Sequence, residues 1–167
     1  MKKIFLISDT HFGHKNILSF AERPFEDLKE MEEKLISNWN SVVGKNDTAY
    51  HLGDFSFEKF DNTKRIFDQL NGIKHLILGN HDRRSSRTYW RRVGFDIVSG
   101  NPILIRKKYL LSHEPITYNI GDFINIHGHT HAGNHRPFDS TNQHINVSVE
   151  AINYKPIEIE ELNIGKR

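Results

Sequence analysis

Five short polar clusters, each following a strand-like apolar stretch, constrain this chain more than any other feature. They are Ser8-Asp9-Thr10-His11, Leu52-Gly53-Asp54, Gly79-Asn80-His81-Asp82, Ser112-His113 and Gly128-His129-Thr130-His131. A short continuous apolar run fits a strand covered on both faces. Ligands in open α/β sheets gather beyond the C-terminal ends of the strands. The series therefore predicts neighbouring strands whose end loops present side chains to a common point. Asp9, His11, Asp54, Asn80, His113, His129 and His131 supply oxygen or nitrogen donors. That is more than one ion needs, and it suits two ions sharing a carboxylate.

The stretches between the clusters read as a layered fold. Residues 4–7 form a first strand and 15–20 a short helix. Asp27 and Glu30 make a capping pair for a helix carrying Leu28, Met31, Leu35, Trp39 and Val42 at helical spacing, closed near Gly44 as a left-handed residue. A strand over 48–52, a helix over 57–70, a turn at Asn71-Gly72 and a strand over 74–78 complete a β-α-β-α-β order. The second half carries short strands over 97–98, 103–106, 109–111, 123–127, 145–149 and 157–159, which predict a second sheet. No repeat, low-complexity tract or linker interrupts residues 1–167, so a single domain is expected.

The chain has no cysteine, which removes disulfides and thiolate metal sites and leaves imidazole, carboxylate, amide and water as ligands. That fits a reducing compartment, and a cytoplasmic location is expected. A formal charge of +2 names no partner. No apolar run approaches the roughly 20 residues of a membrane span, so no membrane partner is expected. The apolar stretch after Lys2-Lys3 is shorter than the roughly 7–15 residues of a signal-peptide core.

Taken together, Asp9-Thr10-His11, Gly53-Asp54, Gly79-Asn80-His81-Asp82, His113 and Gly128-His129-Thr130-His131 resemble the full motif set of the calcineurin-like metallophosphoesterase superfamily. The resemblance runs over residues 9–131. It implies an α/β fold, a four-layer α-β-β-α sandwich with two mixed β-sheets flanked by helices, and a metal site at the C-terminal ends of the strands. It also implies two divalent ions. One would be held by Asp9, His11, Asp54 and His131, the other by Asp54, Asn80, His113 and His129, with Asp54 bridging. Manganese is the first expectation, with iron, zinc, nickel or cobalt as alternatives. In an extended segment residues i and i+2 share a face, so Asp9 and His11 can face one ion. His129 and His131 share a face by the same rule, unless a turn at Gly128 splays them onto separate ions. Two divalent ions against two carboxylates and a bridging hydroxide leave a net positive centre, suited to a phosphoryl group. In-line attack by that hydroxide on phosphorus is the expected mechanism.

His81 is not a ligand in the family pattern, where its counterpart contacts the phosphate and assists the leaving group. Here it is the expected catalytic residue, with Asp82 orienting its ring or holding it protonated. Asn80, His81, His14 and Arg83 are the expected substrate contacts. Arg83, Arg84, Arg87, Arg91 and Arg92, with Tyr89 and Trp90 between them, offer either a nucleic-acid track or a solvated helix face with Trp90 in the core. His51, His75 and His127 read as structural, and His135 and Arg136 as a solvated loop. Asn146-Val147-Ser148-Val149-Glu150 stands where many small members have Asn-Pro-Gly-Ser, so the pocket floor is expected to differ. The expected function is a phosphodiesterase, with phosphomonoesters as a second activity. A nuclease or RNA 2′,3′-cyclic phosphodiesterase acting on a nucleotide or nucleic-acid partner is the alternative. A non-catalytic scaffold comes last, because Asn80 and His81 are both present.

Overall fold

The structure, a computed structural model, describes residues 2–131 and 143–162. In the first sheet β1 (Ile4–Ile7), β2 (Thr48–His51), β3 (Ile73–Ile77) and β4 (Ile97–Ser99) run parallel. β9 (Ile157–Glu158) closes the β1 edge antiparallel, giving the order β4-β3-β2-β1-β9. In the second sheet β5 (Ile103–Ile105) pairs antiparallel with β6 (Tyr109–Leu111). β7 (Ile124–His127) and β8 (His144–Asn146) then extend it in parallel. Both sheets are mixed, as expected.

The continuous apolar strands are explained by what covers them. One face of the first sheet, with Phe5 and Ile7, packs against the helices. The opposite face, with Leu6, Leu52 and Ile77, packs against Ile105, Leu111, Ile126 and Val147 of the second sheet. α1 (Ile17–Phe20), α2 (Leu28–Val42), α3 (Phe60–Gln69) and α4 (Arg87–Val93) all lie on the first sheet. α2 buries Met31, Leu35 and Trp39, one residue per turn of one face. Over the second sheet the described residues place the 116–120 segment, whose Ile116 amide donates to Asn125 Oδ1 at 2.8 Å. No helix among the described residues is long and apolar enough to cross a membrane.

Three boundaries differ from expectation. α3 begins at Phe60 because Phe57 N–H bonds Phe12 O at 2.8 Å, tying that stretch to the first loop. Gly44 is not left-handed: α2 ends on extended Val43, and the Gly44 amide donates to Asp47 Oδ2 at 2.9 Å. β8 stops at Asn146 because the chain then crosses between sheets. Val147 N–H bonds His127 O at 2.8 Å, and Ser148 bridges Ser8 beyond the end of β1.

Candidate metal centre

All seven expected donors follow strand ends. Asp9 and His11 come after β1, Asp54 after β2, Asn80 after β3, His113 after β6, and His129 and His131 after β7. The first two loops are zipped together: Asp9 N–H bonds Gly53 O and His11 N–H bonds Asp54 O, both at 3.0 Å. The backbone at these donors is not extended. Asp9, His11, Asp54, His129 and His131 take φ values of 61°, 50°, 57°, 67° and 50°. Left-handed backbone is uncommon outside glycine, and Asp, Asn and His tolerate it best. The i, i+2 argument is therefore corrected: left-handed turns, not strand alternation, aim Asp9 with His11 and separate His129 from His131. Gly128 matters for a different reason. A Cβ there would run into Ser8 Oγ and Asp9 Oδ2, so only glycine lets the last loop approach the first.

The donors fall into two groups that meet at Asp54. His11 Nε2 lies 3.7 Å from Asp9 Oδ1 and 3.6 Å from Asp54 Oδ2, and the His11 and His131 rings are 5.2 Å apart. On the other side, His113 Nε2 lies 3.6 Å from the same Asp54 oxygen. It is 3.0 Å from Asn80 Oδ1 and 3.2 Å from His129 Nδ1, which is itself 3.1 Å from Asn80 Oδ1. Donors that share a cation at about 2.0–2.2 Å stand about 3.0–3.5 Å from one another. The separations among Asn80, His113 and His129 fall in that range, and those from Asp54 Oδ2 to His11 and His113 and from Asp9 to His11 lie just above it. Ligand atoms of Asp9, His11 and His131, and of Asp9, Asp54 and His113, each lie within 4.8 Å of one another.

The fit to cations also shows in what is left unpaired. Asp9 Oδ1 and His11 Nε2 are buried and without a hydrogen-bond partner, which costs free energy unless something else binds them. Burial, with the charges of Asp9 and Asp82, pushes the Asp54 carboxyl up to about 8. Burial pulls His11 down to about 4 and also lowers His113. Burial alone would raise Asp9, but His11, His113 and His131 outweigh it and hold it well below the usual range. At neutral pH His11 and His113 are thus neutral with lone pairs free, the form a cation needs. Oxygen and nitrogen donors of this kind fit divalent transition ions.

The remaining expected residues separate. The His81 ring borders the centre, with Nε2 3.9 Å from Asp54 Oδ2 and Nδ1 buried without a partner. His14 stacks on Phe57 at 4.1 Å and 17°, with its ring 6.4 Å from His81. Arg83 lines a cleft beside His113. Asp82 does not orient His81. It is buried, and its oxygens accept the amides of Asp54 at 2.6 Å, Phe55 at 3.1 Å and Gly79 at 2.9 Å. It also does not hold His81 protonated: burial and the charges of Arg84 and His14 lower that imidazole. Trp90 is in the core, donating to Asp82 O at 3.0 Å, and Arg92 lies over Phe60. His51 pairs with Thr10 Oγ1 at 3.0 Å beneath the first loop. His135 and Arg136 lie outside the described residues. Sequence reading missed Arg23 and Glu150, a buried ion pair behind His131. They stand 127 positions apart, and no local pattern links them.

This site and fold define a phosphoester hydrolase. The family model for calcineurin-like phosphoesterases matches residues 2–154, and the chain belongs to that family. It is 40% identical over 168 residues to "Uncharacterized protein MJ1445" of Methanocaldococcus jannaschii, covering 96% of this chain and 89% of that one. Among solved structures, the protein of unknown function AQ665 from Aquifex aeolicus matches with a TM-score of 0.77 and 30% identity, covering 96% of this chain and 97% of that one. A nuclease designated MPE from Pseudomonas putida matches with a TM-score of 0.54 and 20% identity, over 78% of this chain and 61% of that one. At that identity it speaks for the fold alone.

Proposed function

We propose that this chain is a phosphodiesterase working with two divalent cations, manganese first among them. The carrying observation is the single Asp54 oxygen that lies 3.6 Å from His11 Nε2 on one side and 3.6 Å from His113 Nε2 on the other. One oxygen between two donor sets suits a bridging carboxylate. Asp9, His11, Asp54 and His131 would hold one ion; Asp54, Asn80, His113 and His129 would hold the other. Bound there, the ions supply positive charge against phosphoryl oxygens and a water acidic enough to act as nucleophile near neutral pH.

The protein residues account for the rest. Asp82 fixes the backbone that carries Asp54. His81 stands at the edge of the centre, where it can donate to the leaving oxygen. An anionic phosphoryl group beside it favours its protonated form, the one that can donate. A cleft of about 250 Å³ lined by Arg83, His113, Glu114 and Tyr118 reaches the centre at His113. One of about 150 Å³ lined by Phe57, His81, Arg84 and Tyr89 reaches it at His81. Open space beside the centre favours a diester over a monoester.

The test is a grid of metals against bis(p-nitrophenyl) phosphate, p-nitrophenyl phosphate and 2′,3′-cyclic nucleotides, with metal content measured alongside. Two ions per chain and faster diester turnover are expected. Saturation at one ion, or faster monoester turnover, overturns the reading. A second reading, cleavage of nucleic acid, is favoured by exposed Arg83 and Arg84, one in each cleft. Backbone contacts release counterions, so oligonucleotide cleavage would then fall steeply with salt while small-diester cleavage would not.

A further inference from the structure

We infer that Arg23 and Glu150 form a positioning pair that fixes which nitrogen of His131 faces the metal centre and ties its loop to the Asp9–His11 loop. The inference rests on the reading of His131 as a ligand. Arg23 is 4% exposed and spends its guanidinium on the site's own backbone. It donates to Asp9 O at 2.6 Å and to Thr10 O at 2.8 Å. Its Nε meets Glu150 Oε1 at 2.9 Å, and the same oxygen lies 3.0 Å from His131 Nδ1. A carboxylate only accepts, so the neutral His131 ring carries its proton on Nδ1 and keeps the lone pair on Nε2. That arrangement fixes a ligating imidazole and makes it a stronger donor.

The chain around Glu150 serves the same end. Asn146 Nδ2 donates to His131 O at 2.6 Å, where the backbone is left-handed, and Ser148 Oγ donates to Asp9 Oδ2 at 3.0 Å. These residues lie on the Asn146–Glu150 stretch that crosses from the second sheet to the first. Stability is a weak reason for such a pair, because burying two charges costs about as much as their attraction returns. Placement of His131 is the stronger one.

Two measurements on the full chain test this. With histidine ring nitrogens labelled, cations removed by EDTA and the pH high enough that the ring is neutral, nuclear magnetic resonance should show the His131 proton on Nδ1 in the wild type. It should move toward Nε2 in Glu150→Ala and stay on Nδ1 in Glu150→Gln, which keeps an acceptor. Manganese titration followed by electron paramagnetic resonance should show one site weakened by about 10–100-fold in Glu150→Ala, with the smaller loss in Glu150→Gln. Should Glu150→Ala not fold, Arg23→Met combined with Glu150→Leu removes both charges together, and the same weakening is expected. A wild-type His131 proton on Nε2, or wild-type manganese affinity in the folded variants, overturns the inference. A His131→Ala variant that binds manganese as the wild type does instead overturns the ligand assignment beneath it.

Discussion

Asp54→Asn is expected to move metal-free stability and metal binding in opposite directions. In the folded chain burial, with the charges of Asp9 and Asp82, raises the Asp54 carboxyl from 3.8 to about 8. Between those values the folded chain holds a proton that the unfolded chain has released. The contribution to stability is therefore complete below about pH 4 and is lost as pH rises through about 8. Integrated, the cost is about 2 kcal/mol at pH 5 and about 5 kcal/mol at pH 8. Asparagine carries no such cost, and its Oδ1 can still accept the His81 amide that Asp54 accepts at 3.0 Å. The stability gap between variant and wild type should thus widen by about 3–4 kcal/mol from pH 5 to pH 8, or about 6–16 °C in melting temperature for a domain of this size. Comparing the two proteins at each pH cancels the titrations of groups distant from position 54. The assay is thermal unfolding in EDTA at both pH values, beside a manganese titration. Manganese should stabilise the wild type strongly and the variant weakly. A gap that does not change with pH, or a variant less stable than wild type at pH 8 in EDTA, would refute this reasoning.

Three further substitutions probe other parts of the site. His81→Ala should keep manganese affinity and lose about 10²–10⁴-fold in kcat on a small diester; turnover within a few-fold of wild type removes His81 from the chemistry. Asp82→Ala strips the acceptor from three buried amides, each about 1–3 kcal/mol. Urea unfolding should therefore show a loss of about 3 kcal/mol or more, and a loss near zero means the amides find other partners. Gly128→Ala forces a methyl against Ser8 and Asp9, with an overpacking cost of about 1–3 kcal/mol; weakened manganese binding is expected, and unchanged binding would show that the loop can move aside.

The central strands, and the loops that bring the candidate donors together, were legible because two strong signals coincide there. β1 puts Phe5 and Ile7 toward the helices and Leu6 toward the second sheet, and such double coverage writes a continuous apolar run. The polar residue after each run is then conspicuous. What stayed hidden depends on contacts distant in sequence or on backbone geometry. Asp82 beside His81 reads as its partner, yet the amides it serves at positions 54 and 55 are supplied by another loop. The helical spacing ahead of α3 gives no hint that Phe57 is held by Phe12. Arg23 looks like an ordinary surface arginine until Glu150 is folded against it.

The left-handed turns at Asp9, His11, Asp54, His129 and His131 carry a consequence for anyone wishing to rebuild this centre. Aspartate and histidine are among the few side chains at ease in that region of conformational space, so donor chemistry and loop shape ask for the same amino acids. Installing thiolates to recruit a softer ion would oppose the backbone as well as the ligand field. Copying the seven side chains onto ordinary loops would reproduce the spelling without the grip.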